Sequence, residues 1–132
     1  MELDFKSVYM AIRTQWKSIN AKIKEKLEEV GLTSQYVSYL VTLATNENIK
    51  IKELNSLVGN DPALTTRVLN KLFLKEFVAK TEENTRKCKL YLTKKGKELM
   101  ASLEKIFNAY KLKITKDDFA AFNNITKSIE NI

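Results

Sequence analysis

Asp61-Pro62-Ala63-Leu64-Thr65-Thr66-Arg67-Val68-Leu69-Asn70-Lys71-Leu72 opens with two residues that start a helix. An Asp side chain accepts from the free amides of a first turn, and Pro fits the first helical position because its missing donor would be unpaired there anyway. The spacing predicts a helix running to about Lys75, with Thr65, Leu69 and Leu72 at i, i+4 and i+7 facing inward. Ala63, Leu64, Thr66, Arg67, Asn70 and Lys71 are then left facing outward, a surface of small, polar and basic groups.

Just upstream, Leu54, Leu57 and Val58 mark a helix of about two turns, closed by the turn-forming pair Gly59-Asn60, and Ile49-Lys50-Ile51 alternates as a short strand at most. Downstream, residues 77–80 and 88–92 read as an antiparallel pair joined by the polar tip 81–87. Farther out, Val8, Ile12, Trp16, Ile19, Ile23, Leu27 and Val30 recur at steps of 3 and 4 in a long amphipathic helix that begins at Phe5 and ends at Gly31. Thr33 is placed to cap a second helix with Tyr36, Leu40, Leu43 and Ala44 on its apolar side. Thr93 caps another, in which Leu99, Leu103, Ile106 and Tyr110 form one stripe and Met100 and Phe107 a second. A last helix begins at Thr115-Lys116-Asp117-Asp118 and carries Phe119, Phe122, Ile125, Ile129 and Ile132 on one side.

Helix, Gly-containing turn, helix and hairpin in that order predict a mainly α (α+β) fold, a winged helix-turn-helix with a two-stranded wing. The expected organisation is one domain over residues 1–132, with residues 33–93 as a DNA-binding core. Long N- and C-terminal helices at 1–30 and 94–132 would form a dimer, because the small core has too little surface to cover Phe5, Val8, Ile12, Phe107, Phe119, Phe122, Ile125 and Ile129.

Charge points to the same segment. The chain of 132 residues is 44% hydrophobic and 30% charged, with a net charge of +7. Residues 61–97 hold 10 basic and 4 acidic side chains, a net +6, against +1 before them and 0 after. A positive field concentrated in the second helix and the hairpin is the footprint of a polyanion-binding surface. The chain has no His and a single Cys, so a histidine triad and an intrachain disulfide are excluded, and no zinc site, catalytic constellation, metal site or cofactor is expected. The acidic pairs 28–29, 82–83 and 117–118 are local and lack a histidine, and the three glycines are isolated, so neither acid-base chemistry nor a phosphate-cradling loop is indicated. The longest apolar run has five residues, Val8 to Ile12, and the acidic start Met1-Glu2-Leu3-Asp4 is no signal peptide, so no membrane span is expected and the expected location is cytoplasmic.

Residues 61–72, then Phe77-Val78, Asn84-Thr85-Arg86 and Leu92-Thr93-Lys94-Lys95-Gly96, resemble the multiple-antibiotic-resistance regulator (MarR) family of transcription factors. Thr66-Arg67 and Leu-Thr-x-x-Gly at 92–96 carry most of the resemblance, followed by Arg86. It implies a homodimer with interlocked terminal helices, recognition helices in successive major grooves of a double-stranded operator, wings in the minor groove, and release by a small aromatic effector. The expected role is a DNA-binding transcriptional regulator, a repressor, rather than an enzyme; the alternative is a winged-helix module that binds protein. Two positions depart from the family pattern. Asn84 stands where an Asp usually orients the wing Arg, and Glu76 stands where a Gly usually ends the recognition helix. A non-Gly residue there must take a left-handed conformation at a cost of about 1 kcal/mol, or the helix must end differently.

The expected DNA contacts are Ala63, Leu64, Thr66, Arg67, Asn70 and Lys71 on the helix and Asn84, Arg86 and Lys87 on the wing. Arg67 suits a base or phosphate contact and Arg86 the minor groove, while Lys71, Lys75, Lys87 and Lys89 suit phosphate. For an aromatic effector, Tyr9, Trp16, Tyr36 and Tyr110 supply ring faces, and Arg13 or Lys17 a counter-charge for a carboxylate. Cys88, on a strand and without a second Cys, reads as a packing thiol.

Overall fold

The computed structural model of the chain describes residues 4–81, 88–109 and 116–130. Asn84, Arg86, Lys87, Tyr110 and Thr115 lie outside the described residues, as do Ile132 and the side chains of Phe5, Val8, Phe119 and Ile129.

Asp4 accepts from the Ser7 amide at 2.8 Å and starts α1 (Phe5–Glu28). The helix closes on Gly31 at φ +75°, where the amides of Gly31 and Leu32 bond back to Glu28 and Leu27. Thr33 is extended but its side chain caps nothing; a 3-10 turn at Ser34–Tyr36 comes first, and α2 (Val37–Thr45) follows. α3 (Ile51–Val58) and α4 (Pro62–Leu74) form the helix-turn-helix, separated by Gly59 at φ +72°. Strands β1 (Val78–Lys80) and β2 (Leu90–Leu92) pair antiparallel with Val78 opposite Leu92 and Lys80 opposite Leu90. Ile49 adds a single bridge to Leu90, with paired bonds of 3.1 and 2.7 Å, so the strand expected there is one residue long. α5 (Lys94–Ala109) and α6 (Lys116–Glu130) complete the order.

One buried cluster runs from Ile23 and Leu27 on α1 through Tyr39, Leu40 and Leu43 on α2, Leu54 on α3 and Val68, Leu69 and Leu72 on α4 to Leu99, Met100 and Leu103 on α5. The core therefore crosses the boundaries expected at residues 33 and 93, because α1 and α5 pack on each other as well as on the winged region. Of the three apolar residues that mark α3, Leu57 is 61% exposed. On so short a helix Leu54 and Val58 share the inner side, and Leu57 is turned about 100° away from Val58. No helix among the described residues is long and apolar enough to cross a membrane.

The end of α4 resolves the departure from the family pattern at Glu76. This residue is left-handed at φ +64°, its amide bonding to the Phe73 carbonyl and the Phe77 amide to the Leu72 carbonyl, each at 3.0 Å. This is the six-residue helix stop that glycine favours, built here with glutamate. Because the position has φ > 0 and an exposed side chain, Glu76→Gly is expected to stabilise the fold by about 1 kcal/mol, read as a higher urea midpoint at unchanged slope.

Candidate nucleic-acid interface

The outer face of α4 begins at its cap. Asp61 accepts from the Ala63 amide at 3.2 Å, Pro62 occupies the first turn, and the Thr66 hydroxyl donates to the Pro62 carbonyl at 3.0 Å. Ala63, Thr66, Arg67 and Asn70 are exposed along this face. Leu64 and Lys71, both expected outward, are half-buried: Leu64 leans on the core, and the Lys71 ammonium lies 6.0 Å from the centre of the Tyr36 ring. Lys24–Glu28 and Lys26–Glu29 pair at the end of α1, whereas among the described residues no acid forms an ion pair with Arg67 or Lys71. Among the described residues, no acid competes with an incoming anion for the positive charge of this face.

A chain of hydrogen bonds aims the helix. Asn60 Nδ2 donates to the Tyr39 hydroxyl at 3.1 Å, Tyr39 and Thr65 share a bond of 2.9 Å, and Thr65 Oγ1 donates to Asn55 Oδ1 at 2.5 Å. Since the Thr65 proton goes to Asn55, the Tyr39 hydroxyl is the donor in the middle bond, and all three run in one direction. Thr65 and Tyr39 are both fully buried, and the bonds of this chain satisfy both hydroxyls. The chain ties α2, the end of α3 and the turn to the first turns of α4. Sequence reading placed Thr65 inward but missed Tyr39, Asn55 and Asn60 as its partners; the one signal was a hydroxyl among leucines on an inward face.

The wing root is fastened to the far end of the same helix. Thr93 Oγ1 donates to the Glu76 carbonyl at 2.6 Å and accepts from the Gly96 amide at 3.1 Å, while the Thr93 amide bonds to the Phe77 carbonyl at 3.0 Å. Thr93 thus caps α5 and satisfies the left-handed residue after α4 with one hydroxyl. Gly96 lies so close that a Cβ there would fall on the Phe77 carbonyl oxygen. Lys95 donates to the Lys75 carbonyl at 2.9 Å, its ammonium 4.8 Å from the Phe77 ring centre. The Leu-Thr-x-x-Gly segment is therefore the joint that sets the hairpin against α4. The residues expected at the hairpin tip, Asn84, Arg86 and Lys87, lie between the described strands and outside the described residues.

Among the described residues, those expected for the effector fall in two places, on α1 and beside α4. Tyr9 and Arg13 are exposed on α1, where Arg13 donates to the Tyr9 hydroxyl at 3.3 Å. Trp16, 49% exposed, lines an apolar cavity of about 430 Å³ with Val37, Val41 and Phe107. Tyr36 is buried against α4 instead; burial raises its hydroxyl pKa above the ordinary value, and the nearby Arg67 charge pulls it back. Cys88 is buried beside Thr65 and Thr66, at a cavity of about 560 Å³ between α3 and α4, consistent with a packing thiol.

Comparison with known proteins converges on one lineage. The MarR family model matches residues 32–87, which span α2 to the segment after β1. The chain is 31% identical over 123 residues to the HTH-type transcriptional regulator SarZ of Staphylococcus epidermidis, covering 87% of this chain and 78% of that protein. It is 33% identical over 104 residues to SarZ of Staphylococcus aureus, covering 73% and 69%. A MarR transcriptional regulator from Methanosarcina mazei superposes with a TM-score of 0.72 over 98% of this chain and 91% of that one, at 22% identity, which speaks for the fold. With the capped helix, the wing joint and these relatives together, the chain belongs to the MarR family of transcriptional regulators.

Proposed function

We propose that the chain works as a homodimer on a pseudo-palindromic double-stranded operator, as a repressor released by a small aromatic ligand, acting in the cytoplasm. Residues 33–93 supply the DNA-binding part: Ala63, Leu64, Thr66, Arg67, Asn70 and Lys71 from α4 in the major groove, Asn84, Arg86 and Lys87 from the hairpin in the minor groove. The observation that carries this reading is the outer face of α4, whose two cations have no acidic partner among the described residues. A gel shift against the DNA flanking the protein's own coding region, at two salt concentrations, tests it. Binding that weakens steeply with salt yet prefers one fragment supports the proposal; equal, weak binding to every fragment favours a protein-binding winged helix.

Dimerisation is supported by apolar side chains on both terminal helices. Tyr9, Met10, Ile12 and Trp16 on α1 and Phe122 and Ile125 on α6 are each 45 to 54% exposed in the single chain. A twofold partner would cover them and space two recognition helices roughly 34 Å apart, one turn of duplex. Light scattering at micromolar concentration should give twice the mass of one chain; a monomer would contradict it.

For the ligand, the cavity beside Trp16 supplies the apolar walls an aromatic ring requires. Trp16 is the sole tryptophan, so its fluorescence reports this place alone. Salicylate is expected to change that emission and weaken operator binding over the same concentration range; no response in either signal at millimolar ligand would exclude this class.

A further inference from the structure

We propose that Tyr36 is a positioning residue for DNA binding, its ring holding the Lys71 ammonium on the outer face of α4 beside Arg67; this rests on the DNA-binding reading above. Tyr36 ends the 3-10 turn at Ser34–Tyr36, its amide bonded to the Thr33 carbonyl at 3.2 Å, and is 7% exposed. A large ring buried at a short turn is a fixed platform. The Lys71 ammonium lies 6.0 Å from its centre, at the outer edge of a cation–π contact. The Arg67 charge acts on the same hydroxyl, pulling its pKa down against the rise that burial causes, so Arg67 lies near the ring that Lys71 approaches.

The choice of partner matters chemically. A carboxylate would also order a lysine, but it would cancel the charge and compete with phosphate. An aromatic face restricts the flexible side chain and leaves the full positive charge for the anion. Pre-ordering removes part of the rotamer entropy that Lys71 would otherwise lose on contacting a phosphate. Sequence alone grouped Tyr36 with the aromatic residues of α1, and the structure turns it toward α4 instead.

The test is a double-mutant cycle read by fluorescence anisotropy on the operator-flanking duplex and on a scrambled duplex of the same length. Tyr36→Phe keeps the ring and is expected to stay within about two-fold of wild type with the same salt slope. Tyr36→Leu should weaken binding about three-fold per recognition helix, about ten-fold for a dimer, alike on both duplexes. In a Lys71→Ala background the same change should cost nothing further. An equal loss in both backgrounds, with wild-type binding intact, would overturn the inference and leave the DNA-binding reading standing. Wild-type protein that binds neither duplex would overturn both. Should Tyr36→Leu fail to fold, the Lys71 ε-methylene protons of the wild-type protein decide the matter: upfield displacement by the ring, kept in Tyr36→Phe, supports the contact, and free-lysine shifts refute it.

Discussion

Gly96→Ala is expected to cost the protein about 3 kcal/mol, the largest loss expected among the three glycines on adding a methyl group. A Cβ at residue 96 would collide with the Phe77 carbonyl oxygen and press on Leu92 Cδ2 at 3.2 Å. The Leu92 side chain can yield to such a methyl, but the nearest obstacle is the Phe77 backbone carbonyl, which cannot. The Phe77 carbonyl also accepts from the Thr93 amide, and Phe77 follows the left-handed Glu76, so moving it would disturb the stop of α4 and the cap of α5 together. Alanine's better helix propensity, about 1 kcal/mol, is too small to offset this. Gly59→Ala makes the comparison sharp: nothing lies within 4 Å of its added Cβ, so it should carry only the left-handed penalty of about 1 kcal/mol. Urea unfolding of the two variants measures the difference, and a Gly96→Ala loss no larger than that of Gly59→Ala would contradict the close approach.

Arg67→Ala is expected to weaken operator binding by about 1 to 3 kcal/mol for each base or phosphate interaction it removes, twice over in a dimer, and to relax the preference for operator over scrambled DNA. Arg67 is exposed on α4 with no acid to hold it among the described residues, and the Asn60–Tyr39–Thr65–Asn55 chain fixes the helix that carries it. Lys71→Ala should differ in kind. As a phosphate-binding group it should weaken all sequences alike and lower the slope of log K against log salt by about 1 per phosphate neutralised. Arg86→Ala should match Arg67→Ala in direction if the hairpin enters the minor groove. Anisotropy titrations across a salt series separate these outcomes, and an Arg67→Ala variant with wild-type affinity and preference would remove α4 as the reading element.

Much of this architecture was legible because each local signal agreed with its neighbours. Asp61-Pro62 marked the start of α4, Thr65, Leu69 and Leu72 its buried side, and the polar run 81–87 the break between strands. Even the anomaly at Glu76 was readable, since a family glycine position occupied by glutamate requires either φ > 0 or a different helix end, and the first is what occurs. What periodicity could not supply were features set by tertiary contact. Tyr36 is buried with Leu40 and Leu43 as its apolar side required, but that it meets Lys71 of α4 depends on how the turn at Ser34–Tyr36 sits against α4, which spacing does not encode. Tyr39 fell outside the apolar side read for the second helix; its role as the donor to Thr65 depends on two helices meeting. The two stripes on α5 pointed to contacts with two bodies, but spacing alone did not identify α1 as one of them.

If the outer face of α4 reads double-stranded DNA, its backbone amides must sense the duplex, and chemical-shift mapping detects this residue by residue. The protein, labelled with ¹⁵N, is titrated with a duplex from the DNA flanking its coding region. The largest perturbations are expected at residues 63–71 and in the segment between β1 and β2, with only small changes around Trp16 on α1. Perturbations concentrated on α6 or the N-terminal half of α1, with residues 63–71 unmoved, would show that α4 is not the DNA-reading element.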